Sequence, residues 1–283
     1  MRSNTSHLAK QLTIMLGIGA AMFLASTISA HAYTSLANNS NIQYVKVKRP
    51  LFTGQYTKVN GKKGHKIITP KGTILKVEGV VDTPNNHQAS VQLSRGAISY
   101  QKQQRIYQAT KPSSAYIKPY TTKYFTPYKL RLPVRTQALQ AGQGFTNTQA
   151  GYYKPIFYIT LDGYLQYYTT ARLKHYGIQN SWESTKEVAA VDNPIWTIKP
   201  SAAEKISSFK SKGNTSYIYY KQPIKGLPQK KVSARNYRLT IKKGQTRNHT
   251  WHYGDEDFRL GIWTPYNVGG QPFYNLVEVS EGD

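Results

Sequence analysis

The chain has 283 residues, with 38 lysines and arginines against 13 acids, no cysteine, and a formal net charge of +25. Without thiols it has no disulfide staple, no Cys-ligated zinc and no thiol nucleophile. A charge excess of this size goes beyond what solubility asks and selects polyanionic partners.

The first 32 residues read as a secretion signal. Arg2 and Lys10 sit in a short polar n-region, Leu12 to Leu24 is apolar, and Ala30-His31-Ala32 has the small-x-small form of a signal peptidase site. The apolar core is short for a span of about 20 residues, so cleavage is expected rather than a retained anchor. Losing Arg2 and Lys10 lowers the net charge of +25 by two, to +23. A cysteine-free secreted chain suits an exterior where disulfides are uncommon, such as that of a Gram-positive cell.

Residues 33–43 are small and polar and read as a flexible lead-in. Three strand-rich stretches follow, expected as modules over 44–108, 109–177 and 216–283. Each opens on an extended segment with a proline (Pro50, Pro133, Pro223) and passes a glycine turn (Gly72, Gly142, Gly244). The first contains a basic polar loop, "NGKKGHK", and then "TPKGTILKVEGVV" over 69–81. The second contains "YITLDGYLQYYTTARLKHY" from Tyr158 to Tyr176, where Asp162-Gly163 is a hairpin turn between alternating strands. Continued alternation through Ala171 and Leu173 predicts a further strand, with Tyr164, Tyr168 and Arg172 outward and Tyr167 inward.

Residues 178–215 are expected as a helical insert. "SAAEKISSFKSKG" places Ser201 as N-cap, Glu204 to close a capping box and Gly213 as C-cap, with Ala202, Ile206 and Phe209 on one face. A shorter helix is expected from Ser184 to Asp192, stopped by Pro194.

The Lys-Gly turn and following strand in "TPKGTILKVEGVV" resemble the bacterial SH3-like small barrels that occur in tandem on secreted wall proteins. High pI, abundant Lys and Tyr, and the leader also resemble lactobacillus-type surface and S-layer-associated proteins. The resemblance implies a mainly β fold, tandem small SH3-like β-barrels with a short helical insert after a cleaved signal peptide. It also implies non-covalent binding to peptidoglycan or its anionic polymers, without catalysis. The aromatic pair usual after the central turn is missing from the first module, and a minimal barrel has no counterpart to the insert.

Catalytic and metal motifs are sparse. Asp255-Glu256-Asp257 alternates faces and reads as a solvated turn, unlike the paired carboxylates of a glycosidase. His249 and His252, with Trp251 and Asp255, have metal-like composition, but a spacing of three puts the histidines on opposite faces of a strand. There is no Gly-x-Ser-x-Gly elbow, phosphate-cradling loop or Rossmann fingerprint. No cofactor is expected.

Cations interleaved with phenols remain. The expected polymer-binding set is Tyr152, Tyr153, Lys154, Tyr164, Tyr168, Arg172 and Lys174, with Tyr217, Tyr219 and Lys221 from a second cluster. Tyrosine is also a favoured strand residue, so packing and binding both stand as readings of this set. The expected partners are an anionic polysaccharide or teichoic acid and peptidoglycan, held non-covalently at the cell surface. Nucleic acid is incidental, and membrane contact is confined to the leader before cleavage. An adhesin or an S-layer-like assembly subunit is the alternative, with a wall-acting hydrolase behind it.

Overall fold

The computed structural model describes residues 33–37, 39, 41–81, 89–94, 98–107, 117, 119–181, 194–253 and 257–282. The chain divides into two units, Met1–Thr34 and Ser35–Asp283. Of the first, only Tyr33 and Thr34 are described, neither in regular structure, so the expected leader lies outside the described residues. So do the expected helix over 184–192, His87 and two members of the acidic triplet, Asp255 and Glu256. Among the described residues no helix is long and apolar enough to cross a membrane.

The second unit is mainly β, as expected. Its first part holds β1 (Tyr44–Val47), β2 (Leu51–Val59), β3 (Lys62–Thr69), β4 (Ile74–Val81), β5 (Ser90–Ser94), a short helix α1 (Tyr100–Gln103) and β6 (Phe125–Pro127). Four strands form an antiparallel sheet in the order β5-β4-β1-β6. Val45 and Val47 alternate inward against Leu75, Val91, Leu93 and Phe125, and all six are buried. Strands β2 and β3 leave this sheet as a hairpin. Asn60 (φ 49°) and Gly61 (φ 76°) are both left-handed there, the geometry of the mirror-image turns that match strand twist. The "NGKKGHK" segment is therefore a turn running into a strand, not a polar loop.

The remaining elements are β7 (Ala138–Ala141), β8 (Ile156–Ile159), β9 (Tyr164–Tyr168), α2 (Thr170–Tyr176), β10 (Ala202–Lys212), β11 (Thr215–Tyr220), β12 (Lys230–Ser233), β13 (Asn236–Lys243), β14 (Arg247–Tyr253), β15 (Asp257–Val268) and β16 (Gln271–Gly282). They pair in the order β12-β13-β11-β10-β9-β8-β7-β16-β15-β14, all antiparallel, and β13 also pairs β15. That extra pairing, Ile241 with Val268 through Lys243 with Tyr266, closes eight strands into a barrel. Closure joins the two ends of the eight-stranded run, leaving β12 and β14 as the outer strands of the sheet. Strands β12 and β14 pair the halves of β13 and β15 that the seam leaves free. The barrel interior is filled by side chains, including Leu139, Phe157, Leu165, Ile218, Leu239 and Val268, so it is a packed core.

The expected helical insert is corrected. Residues 202–212 are strand β10, with Ala202, Glu204 and Ile206 turned to the barrel at a spacing of two. A β-bulge between Ile206 and Ser208 then shifts the register, so Phe209 faces inward three residues later. The resulting 202, 206, 209 pattern imitates one face of a helix. Gly213 does adopt φ 57°, but it serves the β10–β11 hairpin instead of a helix end.

The expected strand beyond Tyr168 is corrected in the opposite sense. Thr169 caps α2, its side chain accepting from Arg172 N at 3.3 Å, and Gly177 (φ 69°) ends it. Ile178 N donates to Leu173 O at 2.9 Å, and both side chains are buried in one cluster, as in a Schellman closure. The expected boundary at 215/216 falls inside β11, while that at 108/109 lies outside the described residues. Strand β9 pairs β10, β7 pairs β16, and β6 pairs β1. Segments expected as second and third modules thus share one sheet.

Candidate functional site

The outward face of β10, β11, β13 and β12 is assembled by register, since directly opposed residues share a face. On β11, Ile218 and Tyr220 turn into the barrel core, leaving Tyr217 and Tyr219 outward and half-buried. Tyr217 lies between Lys210 of β10 and Thr240 of β13. Tyr219 lies between Ser208 and Arg238, and Arg238 is opposed by Lys230 of β12. Lys212 and Lys242 flank Thr215 one step further along. The Arg238 guanidinium stands 5.5 Å from the Tyr217 ring centroid. Lys205, opposite Tyr164, carries the pattern toward the Asp162-Gly163 turn, with its ammonium 4.5 Å from the Tyr164 centroid.

Among the described residues no acid holds an outward strand position on this face, and Asp162, in the turn at its end, commits its carboxylate to Ser99 and Lys102. Glu204 of β10 is paired with Leu165 on the barrel side, where burial pushes its carboxyl above the ordinary range despite a backbone hydrogen bond at Gln222. The outward cations are therefore not neutralised by a neighbouring carboxylate. Phenol faces offer flat apolar area to a sugar ring, while Arg238 presents a planar fork suited to phosphate or carboxylate. Uncompensated charge of one sign on a sheet surface also raises the local concentration of a polyanion.

The ten expected binding residues do not all reach this face. Tyr164, Tyr217 and Tyr219 do, and Lys221 is exposed in the turn that follows β11. Tyr168, expected outward, is fully buried beside Tyr158, Leu173 and Ile195. This part of the sheet is covered by α2 and the chain after it, so from Leu165 to Tyr168 both faces of β9 are interior. Tyr167, expected inward, is indeed buried in the barrel core and donates to Gly226 O at 3.1 Å. Arg172 and Lys174 lie on helix α2, with Arg172 6.0 Å from the Tyr176 ring centroid. Tyr152 and Tyr153 contact each other edge-on in the loop before β8, and Tyr153 packs against the cluster that holds Tyr168. Lys154 is exposed and lines a separate cleft of about 450 Å³ with Arg247, Trp263 and Tyr274.

The cations that stand among the tyrosines of this face, Lys205, Lys210, Lys230 and Arg238, were absent from the expected set, as were Lys212 and Lys242 beside Thr215. Only strand pairing places them beside the tyrosines. The alternation of Tyr237, Leu239 and Ile241 with Arg238, Thr240 and Lys242 was the readable signal for β13.

The tyrosine abundance has a second cause. Several phenols fill the core and anchor its ends through their hydroxyls. Tyr220 donates to Gln229 Oε1 at 2.6 Å and Tyr266 to Gln137 Oε1 at 2.7 Å. Burial pushes the Tyr266 phenol up to about 12 and the Tyr220 phenol higher still, so both remain donors.

His249 and His252 occupy opposite faces of β14, opposed to Gly261 and Phe258. His249 packs edge-on against Trp251. Among the described residues no group of three or more His, Cys, Asp or Glu side chains could hold a metal ion.

No protein-family model matches the sequence, and no curated protein or solved structure shows significant similarity to it.

Proposed function

We propose that this is an exported, non-catalytic protein that binds anionic cell-wall or cell-surface glycopolymers through the outward face of β10, β11, β13 and β12. The observation that carries the reading is the juxtaposition of Tyr217 and Tyr219 with Lys210, Arg238 and Lys230, on a face where no described acid holds an outward strand position. Teichoic acids and acidic polysaccharides combine the two chemistries this face addresses, sugar rings and repeated negative charge. The leader, removed after Ala32, delivers the chain to them. The first sheet, with β2–β3 as a long excursion between β1 and β4, is read as an SH3-like module carrying further basic surface.

Pull-down of the leader-free protein on purified walls, before and after acid extraction of teichoic acid, tests this reading. Retention on intact walls and loss on extracted walls is the expected result. Equal retention on both moves recognition to peptidoglycan, and no retention on either defeats the reading.

A further inference from the structure

Arg135 lies in the turn between β6 and β7, at the meeting point of two clefts of about 690 and 480 Å³. The turn is closed by Arg135 N donating to Leu132 O at 3.0 Å. The next residue, Thr136, has φ 66°, a left-handed conformation that a β-branched side chain adopts only under constraint. Two contacts impose it: Thr136 N donates to Ile159 O at 2.8 Å, and its hydroxyl lies 2.9 Å from the Tyr44 hydroxyl. The chain is thus held in an unfavourable conformation where Arg135 projects.

The Arg135 guanidinium lies 5.9 Å from the Phe209 ring centroid, and its Nε is buried without a hydrogen-bond partner. Among the described residues no carboxylate lies within ion-pairing distance of it. Asp162 is the carboxylate that acts on it through space, and its oxygens are taken up by Ser99 and Lys102. A half-buried guanidinium with an unused donor is costly to keep unless something anionic completes it.

The smaller cleft supplies complementary groups. Lys205 forms its other wall, with Nζ donating to the Asp162 backbone oxygen at 2.6 Å and two more protons to offer. A Cβ placed on Gly163 would lie 3.8 Å from Lys205 Nζ and 4.0 Å from Arg135 Nη2, so both cationic heads flank the same turn. The β10 bulge turns Ser207 and Ser208 toward this cleft. Ser207 Oγ is committed to Tyr219 O at 2.9 Å, while Ser208 is exposed.

We propose that this cleft is an oxyanion site, taking one phosphate or carboxylate group between the Arg135 fork and the Lys205 ammonium, with the Ser208 hydroxyl as a third donor. Arg and Lys address the same anion differently: the fork fixes its orientation and the ammonium adds charge. The identity of the natural ligand, a single anionic group of the bound polymer, rests on the function proposed above. The site itself does not.

The test is calorimetric titration of the leader-free protein with inorganic phosphate and, separately, with acetate at matched ionic strength. Saturable binding of one equivalent is expected. It should weaken about tenfold or more in Arg135→Gln and several-fold in Lys205→Gln, as expected for losing a charged hydrogen bond. Lys58→Gln, a charge loss in the β2–β3 hairpin, should leave it unchanged. Lys205 is exposed, so its variant keeps the test decisive if Arg135→Gln fails to fold. Preference for phosphate or for acetate identifies which group the site takes. Absence of saturable binding, or equal weakening in all three variants, overturns the site. Walls that bind the protein without a saturable phosphate site would defeat this inference and spare the proposed function. A phosphate site without wall binding would do the reverse.

Discussion

Asp162 closes the amino end of a helix to which it does not belong: its carboxylate accepts from Ser99 N and Ser99 Oγ, each at 2.8 Å, at the start of α1. Gln166 does the same one residue on, its Oε1 accepting from Tyr100 N at 2.8 Å. The first N–H groups of a helix have no partner within it, and Ser99 makes no capping bond with its own side chain. The β8–β9 hairpin therefore supplies the cap from more than 60 residues away, tying the first sheet's helix to the barrel.

This coupling predicts acid sensitivity centred on one residue. Burial would raise the Asp162 carboxyl, but hydrogen bonds from Thr160 and Ser99, aided by Lys102, outweigh it and hold the group below its ordinary range. A depressed folded value means the stabilisation is complete above the unfolded carboxylate pKa of about 3.9 and fades as pH falls through the folded one. Asp162→Ala should lower stability by about 1.5–3 kcal/mol at neutral pH, through lost charge-assisted hydrogen bonds. The exposed Lys102 contributes little to that figure. Urea unfolding of both proteins should show the gap shrinking below about pH 4. A gap independent of pH would mean that shape, not charge, makes the contact.

A second stability prediction concerns Gly144. A Cβ there would lie 2.4 Å from Trp263 Nε1 and 2.6 Å from Cε2, so the indole is laid directly against the glycine. Trp263 belongs to the cluster of Phe145, Tyr274 and Leu276 beside the barrel. Gly144→Ala should displace the ring and cost about 1–3 kcal/mol, the usual range for overpacking. A changed Trp emission spectrum with a lower melting temperature is expected. An unchanged spectrum would place the indole elsewhere.

What the sequence disclosed depended on how local each signal was. The Asp162-Gly163 hairpin could be read because turn chemistry and alternation lie within a dozen residues, and Ile159 does pair Leu165 across it. Strand β10 could not, because its bulge converts a spacing of two into one of three at Phe209, and Gly213 satisfies hairpins and helix ends alike. Helix α2 escaped notice although Thr169 and Gly177 bracket it, since alternation over four residues outweighed the caps. Barrel closure left no local trace at all: Ala141 meets Phe273 and Lys243 meets Tyr266 only through long-range pairing. The candidate face was half legible for the same reason. Tyr217 and Tyr219 declare themselves by alternation, but their cationic neighbours come from three other strands.

The last prediction separates the two roles of tyrosine. Tyr219→Ala and Arg238→Gln change the outward face of β11 and β13, where neighbouring strands carry the fold. Each should weaken binding to teichoic-acid-bearing walls several-fold and leave the circular dichroism melt within about 1 kcal/mol of the parent, as surface changes do. Arg238→Gln should also flatten the dependence of affinity on salt, because each lost phosphate contact releases fewer condensed counterions. Tyr168→Ala should behave differently. Its ring is fully enclosed and its hydroxyl accepts from Gln166 Nε2 at 2.8 Å, the same Gln166 that caps Tyr100. Truncation should cost about 3–5 kcal/mol and loosen the α1 cap, with wall affinity unchanged for whatever fraction stays folded. Wall isotherms and melts on the three variants decide between the roles. If Tyr168→Ala alone reduces affinity, recognition depends on the region under α2, and the outward face of β11 is surface without function.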